Sequence, residues 1–204
     1  MGTALWTEHD RLSACWAGLN APAARVKYGS LKELRRLSQE VPHLLYADFG
    51  RFAGLLDHPN SIFRWNAAHI LANMAGVDSL HKIEPLLDKL LQPIPGPQMI
   101  AAANVMQAAA VIAAAQPLLA DKLAAGILRV SRAKYETNEC HNVAIGHAIQ
   151  SLGRFPESIR RQAAVVNFVR RQLDNPRPAT RRKAGRFLKK GSLQKRRAGG
   201  RSED

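Results

Sequence analysis

Cations are concentrated near the C-terminus of this sequence. Residues 154–204 hold 16 Lys and Arg against 4 Asp and Glu, whereas residues 1–153 hold 14 against 12, so the net charge of +14 lies almost entirely in the last quarter. A basic segment on a near-neutral body is typical of contact with a polyanion, although it also serves solubility alone. The residues predicted to hold phosphates or carboxylates are Arg177, Arg181, Arg182, Lys183, Arg186, Lys189 and Lys190.

Familiar catalytic signatures are not found in the sequence. It has no phosphate-binding glycine loop, no zinc-protease helix motif and no paired carboxylates. Cys140 and His147 are seven residues apart and share a helix face. We interpret them as a buried thiol beside a buried histidine, because a zinc site needs two further ligands and no Cys/His cluster supplies them. We therefore predict a protein that is not an enzyme and that binds no metal or cofactor.

Cysteine usage and hydropathy predict where the protein resides. Cys15 and Cys140 have neither zinc nor redox spacing, so a reduced, cytoplasmic setting is expected. We find no Sec-type signal at the start of the chain and no apolar run of 18 residues. Residues 99–115 come closest, but Asn104 and Gln107 interrupt them. We expect no insertion into a membrane.

The sequence repeats itself at long range. A pattern that begins at Leu56 and reads Leu-Asp-x-Pro-x-x-x-x-Arg-x-x-Ala returns at Leu173, a shift of 117 residues. That shift equals three units of about 39 residues, which lies within the usual range of helical repeats. A looser copy of the segment Trp65–Gly76 occurs at Asn142–Gly153. A helix, a turn and a second helix in each unit of this length are the mark of an α-solenoid.

The repeated pattern resembles HEAT repeats, and the stretch Ala67–Gly76 also resembles the third helix of armadillo repeats. The resemblance extends over about residues 23–190 in architecture and is sharpest at Leu56–Gly76. In armadillo proteins the asparagine that matches Asn73 binds the main chain of an extended peptide. The HEAT-like pattern implies that Asp57 and Arg64 belong to a polar ladder between repeats.

Helical periodicity and the positions of proline divide the chain into elements, without any segment of strand-like alternation. We predict an all-α fold, a right-handed α-solenoid of about four and a half HEAT/ARM-like helix pairs. Residues 1–22 form a capping helix that begins after Thr3, residues 23–190 form the repeats, and residues 191–204 are a disordered basic tail. The predicted helices are Ala4–Leu19, Ala23–Glu40, His43–Leu56, Ser61–Ala75, Ser79–Leu91, Pro97–Ala115, Pro117–Lys134, Asn138–Leu152, Glu157–Leu173 and Ala179–Lys190.

The predicted helix from Ser61 has two distinct faces. At about 100° per residue, Trp65, His69 and Asn73 share the side turned away from the apolar residues. The second helices of a stack of helix pairs line its concave surface, so this side is predicted to line a groove. Burial of Trp65 against a neighbouring repeat is the alternative. The apolar core face consists of Phe63, Ala67, Ile70, Leu71 and Met74.

The same three positions can be projected onto each repeat. The middle of the resulting groove is small or amide-bearing, and its ends are basic, which suits a ligand with a main chain and acidic groups. The predicted groove residues are Tyr28, Lys32, Arg36, Trp65, His69, Asn73, Gln107, Asn142 and Gln150, continued by the C-terminal cations Arg182, Arg186 and Lys190.

One enzyme class with HEAT-like repeats is the alkylpurine DNA glycosylases, which have a basic concave face, aromatic side chains and a carboxylate. The predicted groove contains Tyr28 and Trp65 but no Asp or Glu, because Asp48 and Glu139 lie off it. Glycosidic cleavage without a carboxylate loses its main electrostatic contribution. The sequence therefore disfavours glycosylase activity.

Three functions remain after these exclusions. The leading prediction is a non-enzymatic scaffold that binds a protein partner in the groove, with the basic C-terminus as a second contact. The alternative is nucleic-acid binding, in which the C-terminal cations contact phosphates with little sequence preference and a steep salt dependence. A subunit whose charge serves only solubility is the third. The sequence identifies neither the partner nor the oligomeric state.

Overall fold

The computed structural model describes residues 7–199 of the chain, with side chains for residues 7–190. Regular structure in this range is helical and includes no strand, which confirms the all-α prediction. The chain divides between Leu90 and Leu91 into two compact units, here called the N-terminal unit and the C-terminal unit. The α-helices are α1 Glu8–Leu19, α2 Ala24–Glu40, α3 Pro42–Tyr46, α4 Phe49–Gly54, α5 Ser61–Asn73, α6 Leu87–Leu91, α7 Met99–Ala115, α8 Ala120–Leu128, α9 Asn138–Leu152, α10 Gln162–Arg170 and α11 Pro178–Gly199.

The first described helix, α1, begins with a capping box. The Thr7 hydroxyl accepts a hydrogen bond from the Asp10 backbone N–H at 3.1 Å, and the Asp10 carboxylate accepts one from the Thr7 N–H at 3.0 Å. Two otherwise unpaired donors of the first turn are thereby satisfied. The predicted cap, Thr3, lies outside the described residues, and the described helix begins at Glu8 rather than at Ala4.

The core of the N-terminal unit forms where α2 packs against both α1 and α5. Leu31, Leu34 and Leu37 of α2 are buried, and burial of each contributes about 2 kcal/mol. Helix α5 is buried on several sides, since α2 and α4 both contact it. It is therefore an interior helix without a wide solvent face.

Two predicted helices of the N-terminal unit are interrupted. The segment His43–Leu56 divides into α3, α4 and a 3-10 turn. The segment Ser79–Leu91 is helical only from Glu84, because the Asp78 carboxylate accepts the N–H groups of Lys82 and Ile83 at 2.9 and 3.0 Å. A side chain that engages backbone donors in this way competes with helix formation.

In the C-terminal unit, α9 packs against α7 and α11, while α8 contacts α7 and α9 and α10 contacts α11. The alanine-rich α7 is buried along most of its length. Two helices here are shorter than predicted, α8 and α10; a 3-10 turn adjoins each end of α8, and one precedes α10 at Pro156–Ser158. The Asp121 carboxylate accepts the N–H groups of Arg160 and Arg161, which holds the residues before α10 outside the helix.

The last helix, α11, continues past the predicted end at Lys190 as far as Gly199. The tail predicted to be disordered over residues 191–204 is therefore helical in its first part, and residues 200–204 lie outside the described range. Residues 193–198, Leu-Gln-Lys-Arg-Arg-Ala, all have high intrinsic helix propensity.

The repeated sequence pattern folds into the same turn twice. Arg64 donates to the carbonyl oxygens of His58 and Pro59, both at 2.8 Å. Arg181 donates in the same way to Asn175 and Pro176, at 2.8 and 3.0 Å. The repeated arginine therefore holds the turn before its own helix by charge-assisted hydrogen bonds.

The two residues of the polar ladder implied by the HEAT-like pattern form different kinds of contact. Arg64 bonds its own turn instead of a neighbouring repeat. Asp57 pairs with Lys89 of α6 at 2.8 Å, and both side chains are largely exposed. An exposed pair of this kind contributes at most about 1 kcal/mol.

A candidate anion-binding cleft

A cleft opens between α9 and α11 in the C-terminal unit, with a volume of 290 Å³. We call it the basic cleft. One part of its lining is cationic and another is apolar, and none of the lining residues is acidic. Its lining residues are Ile149, Gln150, Gly153, Pro156, Lys183, Arg186, Phe187 and Lys190.

The lining depends on two glycines that let α11 approach closely, Gly146 of α9 and Gly153 directly after the end of α9. A Cβ atom at Gly146 would lie 2.9 Å from the Thr180 hydroxyl and 3.6 Å from the Lys183 Nζ. A Cβ atom at Gly153 would lie 3.4 Å from the Phe187 ring. Because the two glycines are seven residues apart, they lie on one face of α9. This face lets the two helices meet.

Hydrogen bonds fix the two helices at this distance. The Thr180 hydroxyl donates to the Asn142 carbonyl oxygen at 2.8 Å, and the Asn175 amide donates to the Asn142 side-chain oxygen at 3.0 Å. Thr180 and Asn175 are buried. Asn142, predicted to line the groove, therefore holds the helices together through both of its oxygen atoms.

The cations of the basic cleft are not matched by acidic groups. Burial lowers the pKa of Lys183, and the nearby charges of Arg177 and Arg186 lower it further. Arg177 is neutralised, since its Nε lies 2.7 Å from the Glu139 carboxylate. Within residues 7–190, no carboxylate forms an ion pair with the cleft cations Lys183, Arg186 and Lys190. The cleft therefore presents three positive charges to solvent.

The predicted buried pair of Cys140 and His147 is only half-buried. Burial lowers the pKa of His147, and the charges of Lys183 and Arg177 contribute as well. The histidine is therefore part of the positively charged surroundings of the cleft. The helical projection placed it in the core because it treated α9 as having one buried face.

Metal binding has no support in the described part of the chain. No group of three or more His, Cys, Asp or Glu side chains that could hold a metal ion occurs among those residues. Cys15 and Cys140 are both free thiols.

The predicted groove residues of α2 have different environments. The Tyr28 side chain is 37% exposed, and its hydroxyl accepts a hydrogen bond from Asn60 at 3.0 Å. Lys32 is exposed. Arg36 pairs with Glu33 at 2.8 Å and also contacts Glu40. Of the three, Lys32 is the most available to a ligand.

The predicted groove residues of α5 are less accessible than the projection requires. His69 is 5% exposed and packs edge-on against Trp65, with ring centres 6.3 Å apart. Asn73 donates to the Ser38 hydroxyl at 2.8 Å. Trp65 is half-buried. His69 is therefore a core residue, and its placement in a ligand groove was wrong because α5 is covered on more than one side.

The sequence analysis missed the cation that contacts Trp65. The Arg35 guanidinium lies 5.9 Å from the centre of the Trp65 ring, within the range of a cation–π interaction. Burial lowers the pKa of Arg35. The projection chose Arg36, the next residue of α2, which pairs with Glu33 and Glu40 instead.

The remaining predicted residues divide between packing and the cleft. Gln107 is half-buried on α7, whereas Gln150 is exposed and lines the basic cleft. Of the predicted polyanion-binding residues, Lys183, Arg186 and Lys190 converge on the cleft. Arg177 and Arg181 are engaged as described above, and Arg182 and Lys189 are exposed outside the lining.

Phe187 and Pro156 are the lining residues that the sequence analysis did not single out. Phe187 follows Arg186 on α11, and its ring lies against Gly153. The signal available in the sequence was the glycine at 153, which follows Gly146 by seven residues. We interpreted that glycine only as the end of a helix.

No protein-family model and no curated protein matches this chain. The resemblance to HEAT and armadillo repeats accordingly stays a prediction from the residues that carry it. Each helix within residues 7–199 is too short or too polar to span a bilayer.

Replacement of Gly146 by alanine tests the close contact of α9 and α11. The new Cβ atom would lie 2.9 Å from the Thr180 hydroxyl, so either Thr180 must rotate and lose its bond to the Asn142 carbonyl or the helices must move apart. We expect a loss of about 1–3 kcal/mol in the free energy of unfolding. Gly185→Ala is the matched control, since its Cβ atom would meet nothing within 4 Å. It should leave stability unchanged or raise it by up to about 1 kcal/mol. Urea denaturation measures both, and equal effects would contradict the close contact.

The position of His147 implies a dependence of stability on pH. Its pKa is lowered from 6.5 in the folded state, so the unfolded chain binds this proton more readily. The corresponding stability is complete above pH 6.5 and decreases as the pH falls below that value. We expect His147→Gln to lose less stability than the wild type between pH 6.5 and about pH 5. The exposed His43, changed to glutamine, is the control. Identical pH profiles for wild type and His147→Gln would contradict the assignment.

Proposed function

We propose that this protein is a non-enzymatic binding module that holds an acidic segment of a partner protein in the basic cleft. The observation that carries the proposal is the convergence of Lys183, Arg186 and Lys190 on a cleft with no acidic lining residue. Cations without an ion-pair partner attract an anion electrostatically. They can form charge-assisted hydrogen bonds with it without first breaking an existing ion pair. Recognition of an anion is the chemistry that this lining supports most directly, because it contains no serine, cysteine, histidine or carboxylate side chain.

The scaffold that we propose for this module is a right-handed α-solenoid of the HEAT/ARM type. In support, α9 packs between α7 and α11, while the shorter α8 and α10 contact these helices. Helices that contact mainly their neighbours along the chain are the usual arrangement in helical repeats. The matching turns held by Arg64 and Arg181 also support a repeat. Both cysteines are free, in keeping with a cytoplasmic location.

A protein segment suits the basic cleft because the lining is mixed. Ile149, Pro156 and Phe187 offer apolar contact beside the cations, and Gln150 offers an amide donor and acceptor. The volume of 290 Å³ accommodates one or two side chains. A short segment with an acidic residue beside an apolar residue meets both parts of this lining.

The α2–α5 face of the N-terminal unit is a second candidate contact for a partner. Trp65 is half-buried beside the Arg35 guanidinium, and Lys32 is exposed. Tryptophan and arginine are enriched among residues that dominate binding energies at protein interfaces. This face is less charged than the basic cleft, since Arg36 is paired with glutamates.

Nucleic-acid binding is the alternative, and the exposed arginines outside the cleft favour it. Arg182 on α11 and Arg170 and Arg171 at the end of α10 are exposed. Such side chains can contact a phosphate backbone with little sequence preference. In this case the affinity depends on cations spread over the C-terminal unit and decreases steeply with salt.

Charge reversal at the cleft separates the two functions. We expect the double variant Arg186→Glu/Lys190→Glu to reduce binding of a fluorescein-labelled octaglutamate peptide at least about tenfold, because two attractions become repulsions. Fluorescence anisotropy of the full-length protein at two salt concentrations measures this binding. The matched control is Arg170→Glu/Arg171→Glu, which reverses exposed charges outside the cleft lining.

The same two double variants also test the alternative. A phosphate-backbone surface predicts that labelled duplex DNA binds more tightly than the peptide and that both double variants weaken it. Equal peptide binding by wild type and by the cleft variant would contradict the proposed function. Circular dichroism of each variant establishes that the helical content is unchanged.

A further inference from the structure

The positive charge of the basic cleft exceeds what one carboxylate neutralises. Lys183, Arg186 and Lys190 all line it, and no carboxylate within residues 7–190 pairs with them. They occupy positions i, i+3 and i+7 of α11, so they lie along one side of the helix. A glutamate or aspartate of a partner brings one negative charge, which leaves two of the three cations unmatched.

Lys183 is the most buried of the three cleft cations, so its charged form gains most from a nearby anion. It lies over Gly146, where its Nζ is 3.6 Å from the place that a Cβ atom would occupy. It is half-buried, and burial together with Arg177 and Arg186 lowers its pKa. A nearby anion offsets both the desolvation of this ammonium group and its repulsion from its neighbours.

We propose that the basic cleft recognises a phosphomonoester, the phosphate of a phosphorylated serine or threonine in a partner protein. This inference rests on the proposed function, since it specifies the acidic group of the partner segment. A phosphorylated side chain carries about −1.5 to −2 charges at neutral pH and three acceptor oxygens. Its charge and its three oxygen atoms therefore match the three cations of the cleft more closely than a carboxylate does. Arg186 supplies a planar fork that bonds two phosphate oxygens, and the lysines act as point charges.

The apolar part of the cleft can contact the peptide next to the phosphorylated side chain. Ile149, Pro156 and Phe187 provide a surface for the residue next to the phosphorylated one. Gln150 is exposed at the cleft and can bond the main chain of that segment. The cleft thus has separate places for a doubly charged phosphate group and for the short peptide that carries it.

A phosphodiester fits this arrangement less well than a phosphomonoester. Each phosphate of a nucleic-acid backbone carries one negative charge, and two of its oxygens are esterified. A double helix is also much too large to enter a cleft with a volume of 290 Å³. Nucleic acid therefore makes its contacts on the exposed surface, whereas a monoester group can enter the cleft.

Three labelled peptides that differ at one position test the inference. Each is an octapeptide of glycine, alanine and leucine with a central phosphoserine, glutamate or serine, and a single-stranded oligonucleotide of eight nucleotides is the phosphodiester probe. We expect the full-length protein to bind the phosphoserine peptide about tenfold more tightly than the glutamate peptide. The serine peptide should bind more weakly still. Fluorescence anisotropy at near-physiological salt gives the four affinities.

Neutral substitutions locate the preference. Lys183→Gln and Arg186→Gln should each reduce the ratio of phosphoserine to glutamate affinity at least about threefold, because each removes one charge that only a dianion uses fully. The control is Arg170→Gln, which changes an exposed cation outside the cleft lining. Removal of one charge from a repelling cluster does not threaten the fold, and Lys190→Gln provides an independent third variant at the outer end of the series.

Each contrary result identifies what has failed. The phosphoserine and glutamate peptides could bind with equal affinity and both lose binding in Arg186→Gln. That result would overturn the preference for a phosphomonoester but retain the proposed function. Binding of the oligonucleotide at or above the phosphoserine affinity would overturn it in favour of nucleic acid. If none of the three peptides binds, both the inference and the proposed function are overturned. A preference for phosphoserine that all the cleft variants retain would place the site elsewhere and overturn the inference alone.

Discussion

The basic cleft depends on the close contact of α9 and α11 at Gly146. Because residue 146 has no side chain, Thr180 can donate its hydroxyl to the Asn142 carbonyl, and the Lys183 side chain can lie over the helix. A larger residue at this position would collide with the Thr180 side chain and disturb its bond to Asn142. The position of every cleft cation follows from this contact, since all three are carried by the same helix.

This contact also explains the unusual electrostatics of the C-terminal unit. Helix α11 carries its cations towards a neighbour that offers no carboxylate in the cleft, whereas Arg177, directly before α11, has Glu139 as a partner. Like charges held together destabilise the folded state by a modest amount when water reaches them. Native proteins commonly accept such a cost at a site that binds a ligand. Charge that the fold leaves unmatched is therefore the property on which the proposed function rests.

The predictions that succeeded depended on local sequence signals. Helix α9 has both predicted ends, because the Thr137 hydroxyl accepts from the Cys140 N–H and the helix ends before Gly153. The position of the cations at the C-terminus likewise required only composition. The segment after Asp78 was predicted wrongly because its structure depends on a carboxylate that binds the backbone four and five residues further on. Helical periodicity does not report such a contact.

The candidate site was predictable in part for the same reason. A projection onto a helical wheel assigns one buried face, so it could not anticipate that α5 is covered on several sides and that His69 is buried. It found Gln150 and the cations of α11 but missed Phe187 and Arg35, whose roles depend on the neighbouring helix. Side-chain contacts between helices, such as Asn142 with Thr180, need tertiary structure. The sequence thus indicated the charge of the site, and the packing of α9 on α11 determined its place.

The central claim is that an acidic segment occupies the basic cleft, and an NMR titration tests its location directly. Backbone amide shifts of the uniformly ¹⁵N-labelled full-length protein would be followed as unlabelled octaglutamate is added. The account predicts that the largest shift changes occur at Gln150, Gly153 and Phe187 and that they saturate together. Changes centred on Trp65 and Arg35, with the cleft amides unaffected, would contradict it.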